Sequence, residues 1–161
     1  MKIKACCVML LLIIGAQKAM AIEEATYVVL KSEGKFEVRE YDPHVLAETL
    51  VEGDLENAGS RAFQKLFRYI SGDNVSRTQL AMTTPVSQKP AGEKIQMTAP
   101  VGQQRVQEQW AVSFMMPKSY TLNSLPQPND PSVVLRQVPA QKMAVVRYSG
   151  TWSEKNYLAH K

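Results

Sequence analysis

Leu80-Ala81-Met82-Thr83-Thr84-Pro85-Val86 and Ile95-Gln96-Met97-Thr98-Ala99-Pro100-Val101 are two versions of one phrase that lie 15 residues apart. Met, Thr, Pro and Val occupy the same places in both versions, and an aliphatic residue opens each. Residues 87–94 between them are rich in turn-forming residues. We therefore predict two strands joined by a loop. Each strand should end near its proline, because proline cannot donate a hydrogen bond to a neighbouring strand.

Elsewhere the chain alternates apolar and polar residues in short runs, which is typical of an antiparallel sheet. The predicted strands are Ala25–Leu30, Lys35–Tyr41, His44–Val51, Trp110–Met116, Ser132–Val138 and Lys142–Tyr148. Residues 117–131 contain four prolines and are predicted to form a loop without regular structure.

One long helix is predicted from Leu55 to about Ile70, with Asp54 as its N-cap and Ser71-Gly72 at its end. Its apolar stripe consists of Leu55, Ala58, Ala62, Leu66, Tyr69 and Ile70. Phe63 and Phe67 widen that stripe to about 180°, against the roughly 100° needed to seat a helix on a sheet. Either a curved sheet grips the helix deeply, or the phenylalanine flank borders a ligand groove.

A weaker repeat relates Val38–Gly53 to Leu135–Gly150 at an offset of 97 residues. Each copy is predicted to form a strand, a turn, a strand and a glycine, and then a helix. The second helix would begin near Ser153, which is suited to be its N-cap. This repeat predicts a pseudo-twofold duplication built from antiparallel sheets and two helices.

The N-terminus has the pattern of a secretory signal peptide. Lys2 and Lys4 precede an apolar run, Ala5–Ala16, which is too short to span a bilayer, and Ala19-Met20-Ala21 resembles a cleavage site. We predict a signal peptide at 1–21, one domain at 22–161, and a periplasmic or secreted location without a stable membrane anchor. The alternative is an uncleaved anchor.

The remaining chain carries 16 basic and 15 acidic residues, with no basic block, so nucleic acid is not an expected partner. Both cysteines, Cys6 and Cys7, lie in the predicted signal peptide. The rest of the chain therefore has neither a disulfide nor a thiol nucleophile.

Several of these phrases occur together in one known family. The paired Met-Thr-x-Pro-Val phrases, Phe36–Tyr41, Ala62–Gly72 and Arg147–Trp152 make the chain resemble the SOUL haem-binding proteins from about Tyr27 to Lys161. The resemblance implies an α+β fold, a distorted antiparallel β-barrel or sheet with two flanking helices, like the effector-binding domains of some bacterial regulators. It also implies that the C-terminal part of that barrel is missing after Lys161.

Haem or a related tetrapyrrole is the ligand that the resemblance implies, held non-covalently in an apolar groove along the first helix. Phe63 and Phe67 occupy the helix positions that face haem in relatives. Met82 and Met97 are further candidates to line the groove, and core packing is the alternative for both. Neither phenylalanine can coordinate iron. His44 is the obvious candidate for an iron ligand, but a surface-loop histidine is the interpretation we favour. His160 lies in the predicted second helix, and the same two interpretations apply to it.

No metal-ligand cluster, nucleophile elbow or phosphate-binding glycine loop occurs in the sequence, so an enzyme is not expected. We expect a carrier, buffer or sensor of haem. The alternative is a structural or protein-interaction module of the cell envelope that uses the same fold without a tetrapyrrole. Enzymatic work on tetrapyrroles is the weakest alternative, because the sequence marks no acid and base pair.

Overall fold

The computed structural model describes residues 22–77, 92–151 and 153–160, which form an α+β fold of mostly sheet with two helices. The helices are α1 (Leu55–Ile70) and α2 (Glu154–Ala159). The strands are β1 (Glu23–Glu24), β2 (Tyr27–Glu33), β3 (Phe36–Tyr41), β4 (His44–Glu52), β5 (Asn74–Val75), β6 (Thr98–Ala99), β7 (Val101–Val106), β8 (Gln109–Met115), β9 (Gln127–Pro128), β10 (Val133–Val138) and β11 (Gln141–Val146).

Two sheets carry most of the described chain. The four-stranded sheet has the order β10-β4-β8-β7, and the three-stranded sheet has the order β11-β3-β2, with every neighbouring pair antiparallel. Two small pairings, β1 with β6 and β5 with β9, complete the described sheet structure. The last pairing places a short strand inside the predicted proline-rich loop.

The two sheets are joined by one long ladder with a break in its middle. Tyr41 pairs with Gln141 at the end of one sheet, and His44 pairs with Val138 at the start of the other. The register therefore continues across a gap of two residues on each side. Both gaps contain a proline, which cannot donate a ladder hydrogen bond. The turns predicted between these strands are thus kinks. At each kink the chain passes from one sheet into the other.

The predicted barrel is wrong for the described residues, because the sheets do not close. β7 is one outer edge of the four-stranded sheet, and β2 is one outer edge of the three-stranded sheet. No described ladder joins them. Barrel closure requires an unbroken circuit of hydrogen-bonded strands, and the kinked ladder connects the sheets along one seam only.

Helix α1 forms where the sequence predicts it. The Asp54 carboxylate accepts a hydrogen bond of 2.8 Å from the Asn57 amide, which satisfies one of the free donors at the helix start. Gly72, with a φ of 112°, follows the C-cap Ser71 and allows the chain to leave the helix. The buried side of α1 packs on β4, β8 and β10.

The core lies between α1 and the four-stranded sheet. Ala58, Ala62 and Leu66 have no exposed surface, and Trp110 on β8 is 1% exposed. The Trp110 indole N–H donates to the carbonyl of Gly53, so its polar atom is also satisfied. This helix–sheet layer is the rigid element on which the candidate site is built.

The second phrase of the opening motif is described, whereas the first lies outside the described residues. Within the second phrase, Thr98 and Ala99 form β6, which pairs with β1 in parallel, and Val101 is the first residue of β7. The chain then passes the cis Ala99–Pro100 peptide bond and enters β7, an edge strand that the sequence did not predict beyond Val101.

The C-terminal half repeats the order of elements of the first half. Ser153 caps α2 by accepting a hydrogen bond of 3.3 Å from the Asn156 amide, which confirms the predicted second helix. Gly53 and Gly150 precede the two helices and both have positive φ values, 112° and 134°. The duplication itself, the signal peptide at 1–21 and the missing C-terminal part stay predictions.

Candidate functional site

Phe63 and Phe67 lie on the flank of α1 rather than on its buried side. They are 39% and 45% exposed, whereas the residues directly before each of them, Ala62 and Leu66, have no exposed surface. The two rings are nearly parallel, with 5.9 Å between centroids and 10° between planes. The ring of Phe114, on β8, packs edge-to-face with that of Phe63, with 5.3 Å between the centroids, and anchors the pair to the sheet. The helix therefore presents a pair of partly exposed aromatic rings to solvent.

A groove runs beside this surface, between α1 and the edge of the four-stranded sheet. Its volume is about 510 Å³, which falls in the range of small-molecule sites. The groove is lined by Gly59, Ser60, Phe63 and Gln64 of α1, Val101 and Gln103 of β7, and Val112 of β8. None of these residues carries a charge. The surrounding chemistry therefore suits an apolar ligand with a few hydrogen-bonding groups.

One end of the groove is fixed by a hydrogen bond between helix and sheet. The Gln103 amide donates to the Leu55 carbonyl at 3.1 Å and holds β7 against the first turn of α1. Gly59 of α1 also lines the groove, and as a buried glycine it places no side chain in the space between helix and sheet. The Gln103 hydrogen bond and the missing side chain at Gly59 therefore both contribute to the shape of the groove.

The structure brings together two of the four predicted site residues. Phe63 lines the groove, and Phe67 stacks on Phe63 one helical turn further along. Met97 is half-buried and packs against the core between α1 and the sheet, as the alternative interpretation has it, and it does not line the groove. Met82 lies outside the described residues.

The sheet side of the groove was not identified from sequence. Val101, Gln103 and Val112 contribute to it from two strands. Val112 belongs to a predicted strand, but its neighbour β7 has the mixed segment Gly102-Gln103-Gln104-Arg105 and gives no clear alternation of apolar and polar residues. The only available signal was the valine that closes the second phrase.

Neither histidine lines the groove. The Nδ1 atom of His44 lies 2.8 Å from the Asp42 carbonyl, and the ring borders a separate cavity of about 350 Å³ together with Met115 and Met116. The Nδ1 atom of His160 lies 2.9 Å from the Asn156 carbonyl, and its ring stacks on Tyr148 at 4.1 Å. Each ring is thus held by a backbone carbonyl away from Phe63.

Three side chains with a raised pKa, those of Tyr120, Tyr69 and Arg39, make structural contacts outside the groove. The hydroxyl of Tyr120 donates to Glu93 at 2.5 Å, and this hydrogen bond raises the pKa of Tyr120 to about 12. Burial raises the pKa of Tyr69, whose hydroxyl donates to the Pro126 carbonyl. Hydrogen bonding to Tyr41 and then to Glu37 raises the pKa of Arg39. These groups fasten loops and strands, and each stays in its ordinary charge state near neutral pH.

The surface cations near α1 are already engaged. Arg61 donates to the Glu52 carbonyl, and Arg68 lies 3.8 Å from the Asp130 carboxylate. Hydrogen bonds from the Ser132 hydroxyl and amide lower the pKa of Asp130, which stays ionised beside Arg68.

In the described part of the chain, no group of three or more His, Cys, Asp or Glu side chains is arranged to hold a metal ion. The described helices are also too short or too polar to cross a membrane.

The comparison with protein families agrees with this architecture. The model of the SOUL heme-binding protein family matches residues 22–161, which is most of the chain, and the chain therefore belongs to that family. No curated protein matches the chain.

Proposed function

We propose that this chain, as a member of the SOUL heme-binding protein family, binds haem or a related tetrapyrrole non-covalently in the groove beside α1. The observation that carries the proposal is the stacked, half-exposed pair of Phe63 and Phe67 at an uncharged groove of about 510 Å³. A porphyrin is a flat apolar disc with polar groups on one edge. The phenylalanine pair offers the flat apolar contact, and the open side of the groove leaves the polar edge in water.

Binding would rest on apolar burial rather than on a bond to iron. Phe63, Phe67, Val101 and Val112 supply contact area, and none of their side chains can coordinate a metal. The amides of Gln64 and Gln103 and the hydroxyl of Ser60 can orient the ligand through hydrogen bonds. These residues would hold a tetrapyrrole by apolar contact and hydrogen bonds, and the described residues that line the groove offer no side chain that binds iron.

A tetrapyrrole that is held by apolar contact in an open groove can be passed on to another molecule. We therefore propose a role as carrier, buffer or sensor rather than as a catalyst, in the periplasm or outside the cell. The apolar run at the N-terminus supports the location. The uncharged lining of the groove supports the non-catalytic role, because general acid–base catalysis needs a titratable group within reach of the ligand.

The decisive experiment is an absorbance titration of the purified protein, expressed from the full sequence, with haemin. We expect a saturable shift of the Soret band at micromolar haemin. Circular dichroism on the same sample shows whether the protein is folded. A folded protein that leaves the Soret band unchanged would overturn the proposal.

A second candidate is a non-catalytic interaction module of the cell envelope. The observation that favours it is the exposed apolar surface of the three-stranded sheet, where Val28 is 61% exposed and Phe36 is 57% exposed. A flat haemin titration together with a partner recovered from envelope extracts would favour this candidate over haem binding.

A further inference from the structure

A second cavity lies at the kink between the two large sheets. Its volume is about 350 Å³, and its wall includes residues 42–45 of the kink and residues 115–118 at the end of β8. It shares no lining residue with the groove beside α1. Three of its side chains, His44, Met115 and Met116, carry nitrogen or sulfur atoms of the kind that bind soft metal ions. The cavity is therefore a separate candidate for a metal site.

The hydrogen bond of the His44 ring fixes its tautomer. Nδ1 lies 2.8 Å from the carbonyl oxygen of Asp42, and because a carbonyl can only accept, Nδ1 carries the proton. Nε2 of the neutral ring then keeps a lone pair, and no group among the described residues donates a hydrogen bond to it. Metal-binding histidines are typically held in this way, with the other ring nitrogen donating to a carbonyl or carboxylate. Nε2 is thus the atom through which His44 can bind a cation.

Met115 is a neighbour of His44 on the same face of the four-stranded sheet. Leu46 pairs directly with Met115 across the β4–β8 ladder. The Met116 amide donates to the Val45 carbonyl at 2.8 Å, which continues this register towards His44. Since His44 lies two residues before Leu46, it is a diagonal neighbour of Met115. Diagonal neighbours lie roughly 7–8 Å apart, so an imidazole and a thioether at these positions can reach one ion between them.

The burial of Met115 has a different origin from that of Met116. Each side chain is 3% exposed. Met116 belongs to the hydrophobic core under α1, together with Phe114 two residues before it, and core packing explains its presence. Met115 lies on the opposite face by strand alternation, and within the described residues it is not a member of that core. Packing under α1 therefore leaves the burial of Met115 at the cavity unexplained.

We propose that His44 and Met115 form a binding site for one Cu⁺ ion, through Nε2 and Sδ. A thioether selects Cu⁺ over harder cations, and an imidazole also suits copper. The described residues contain no group of three His, Cys, Asp or Glu side chains, which a Zn²⁺ site would need. The charges of Asp42 and Lys118, which also line the cavity, balance each other and add no preference for a divalent ion. This site is independent of the proposed haem groove.

The test is a competition for Cu⁺ between the protein and bicinchoninate, in ascorbate and without oxygen. The absorbance of the Cu⁺–bicinchoninate complex is the measured quantity. The protein is expressed from the full sequence with Cys6→Ser and Cys7→Ser, because thiolates also bind Cu⁺. We expect the protein to remove up to one equivalent of Cu⁺ from bicinchoninate. An equal amount of Zn²⁺ should not displace the bound Cu⁺.

Matched variants separate the proposed ligands from their neighbour. His44→Ala and Met115→Leu should each weaken Cu⁺ affinity ~10-fold or more. Met116→Leu conserves the volume of the next side chain, which lies on the other face, and should leave the affinity unchanged. His44→Ala should not alter a haemin titration, so this proposal and the haem proposal can fail independently.

Methionine methyl resonances test the site without a variant at either ligand. In the protein with both cysteines replaced and its methionine methyls labelled with ¹³C, Cu⁺ should shift the methyl signal of Met115 more than those of Met116 and Met143. A folded protein that leaves the bicinchoninate absorbance unchanged would overturn the proposal. Equal losses of affinity in Met115→Leu and Met116→Leu would also overturn it, as would a shift at Met143 without one at Met115.

Discussion

The ring of Phe63 lies 5.9 Å from the ring of Phe67, and the two planes differ by only 10°. Residues four apart on a helix project to the same side, so this pair follows from local sequence. Its partial exposure follows from tertiary packing, because Phe114 supports only the first ring. The pair is therefore held by ring contacts and remains partly accessible, and these two properties lead to the first prediction.

Replacing both rings, Phe63→Ala with Phe67→Ala, should weaken haemin affinity by ~5- to 70-fold. Full burial of a phenyl ring is worth about 1.5–3 kcal/mol, and a ligand can bury only the exposed fraction. Since that fraction is 39% and 45%, the pair contributes roughly 1–2.5 kcal/mol to binding. Titration of the Soret band measures the change, and circular dichroism checks the fold of the variant.

The matched control is Phe36→Ala, which removes a ring that is 57% exposed on the other large sheet. This variant should bind haemin as the unmodified protein does. Equal weakening by the two changes would show that haemin adsorbs to exposed aromatic rings in general, and the groove would lose its role.

His44→Ala should leave haemin affinity nearly unchanged. The His44 ring is held by the Asp42 carbonyl and borders a different cavity from the one at Phe63. An axial imidazole would instead produce a low-spin spectrum that disappears in this variant. If His44→Ala abolished binding while the double phenylalanine variant, confirmed as folded, still bound, haem would be held by ligation and the groove proposal would be wrong.

Local features of the fold were predictable from sequence, and long-range ones were not. The limits of α1, its cap at Asp54 and the cap of α2 at Ser153 depend on residues three or four positions apart, and the structure confirms them. The open sheets could not be predicted in this way, because barrel closure depends on pairing between distant strands. The sequence predicts a turn between the strands that end at Tyr41 and begin at His44, but the proline between them marks only an interruption of the ladder and does not say whether the chain turns or continues.

In the candidate site, too, the local arrangement was predictable from the sequence and the long-range arrangement was not. Helical spacing predicted that Phe63 and Phe67 lie together. The opposite wall of the groove, with Val101 and Gln103, depends on the position of an edge strand whose polar composition hides its periodicity. Met97 packs against the core, which is one of the two interpretations that the sequence left open, because a methionine suits a core as well as a groove.

The cap of α1 should make the protein sensitive to acid. Hydrogen bonds from the Asn57 amide and then from the Asn57 side chain lower the pKa of Asp54 below its usual 3.8. As the pH falls, the unfolded chain therefore takes up this proton first. The stabilisation is complete above the usual value, declines below it, and is lost once the folded carboxylate is protonated.

Two variants separate the charge from the hydrogen bond. Asp54→Ala should lower Tm by about 2–4 °C near neutral pH, because the Asn57 amide loses its acceptor. Asp54→Asn keeps an acceptor oxygen without a titrating group, so its Tm should fall less than that of the unmodified protein between about pH 6 and about pH 3. Parallel Tm profiles for the unmodified protein and Asp54→Asn would contradict the assigned role of the carboxylate.

Thr49→Val should stabilise the protein. Thr49 lies on the face of the four-stranded sheet under α1, is 1% exposed, and its hydroxyl has no hydrogen-bond partner within the described residues. A buried hydroxyl without a partner costs about 1–3 kcal/mol, and valine has nearly the same shape without the polar atom. Chemical denaturation should therefore show an increase of about 1 kcal/mol in the free energy of unfolding.

Thr98→Val is the matched control. Thr98 is 5% exposed and its hydroxyl donates to the Met115 carbonyl, so the loss of this hydroxyl should destabilise the fold. If both variants were destabilised alike, the Thr49 hydroxyl would have a buried partner of its own, such as an ordered water.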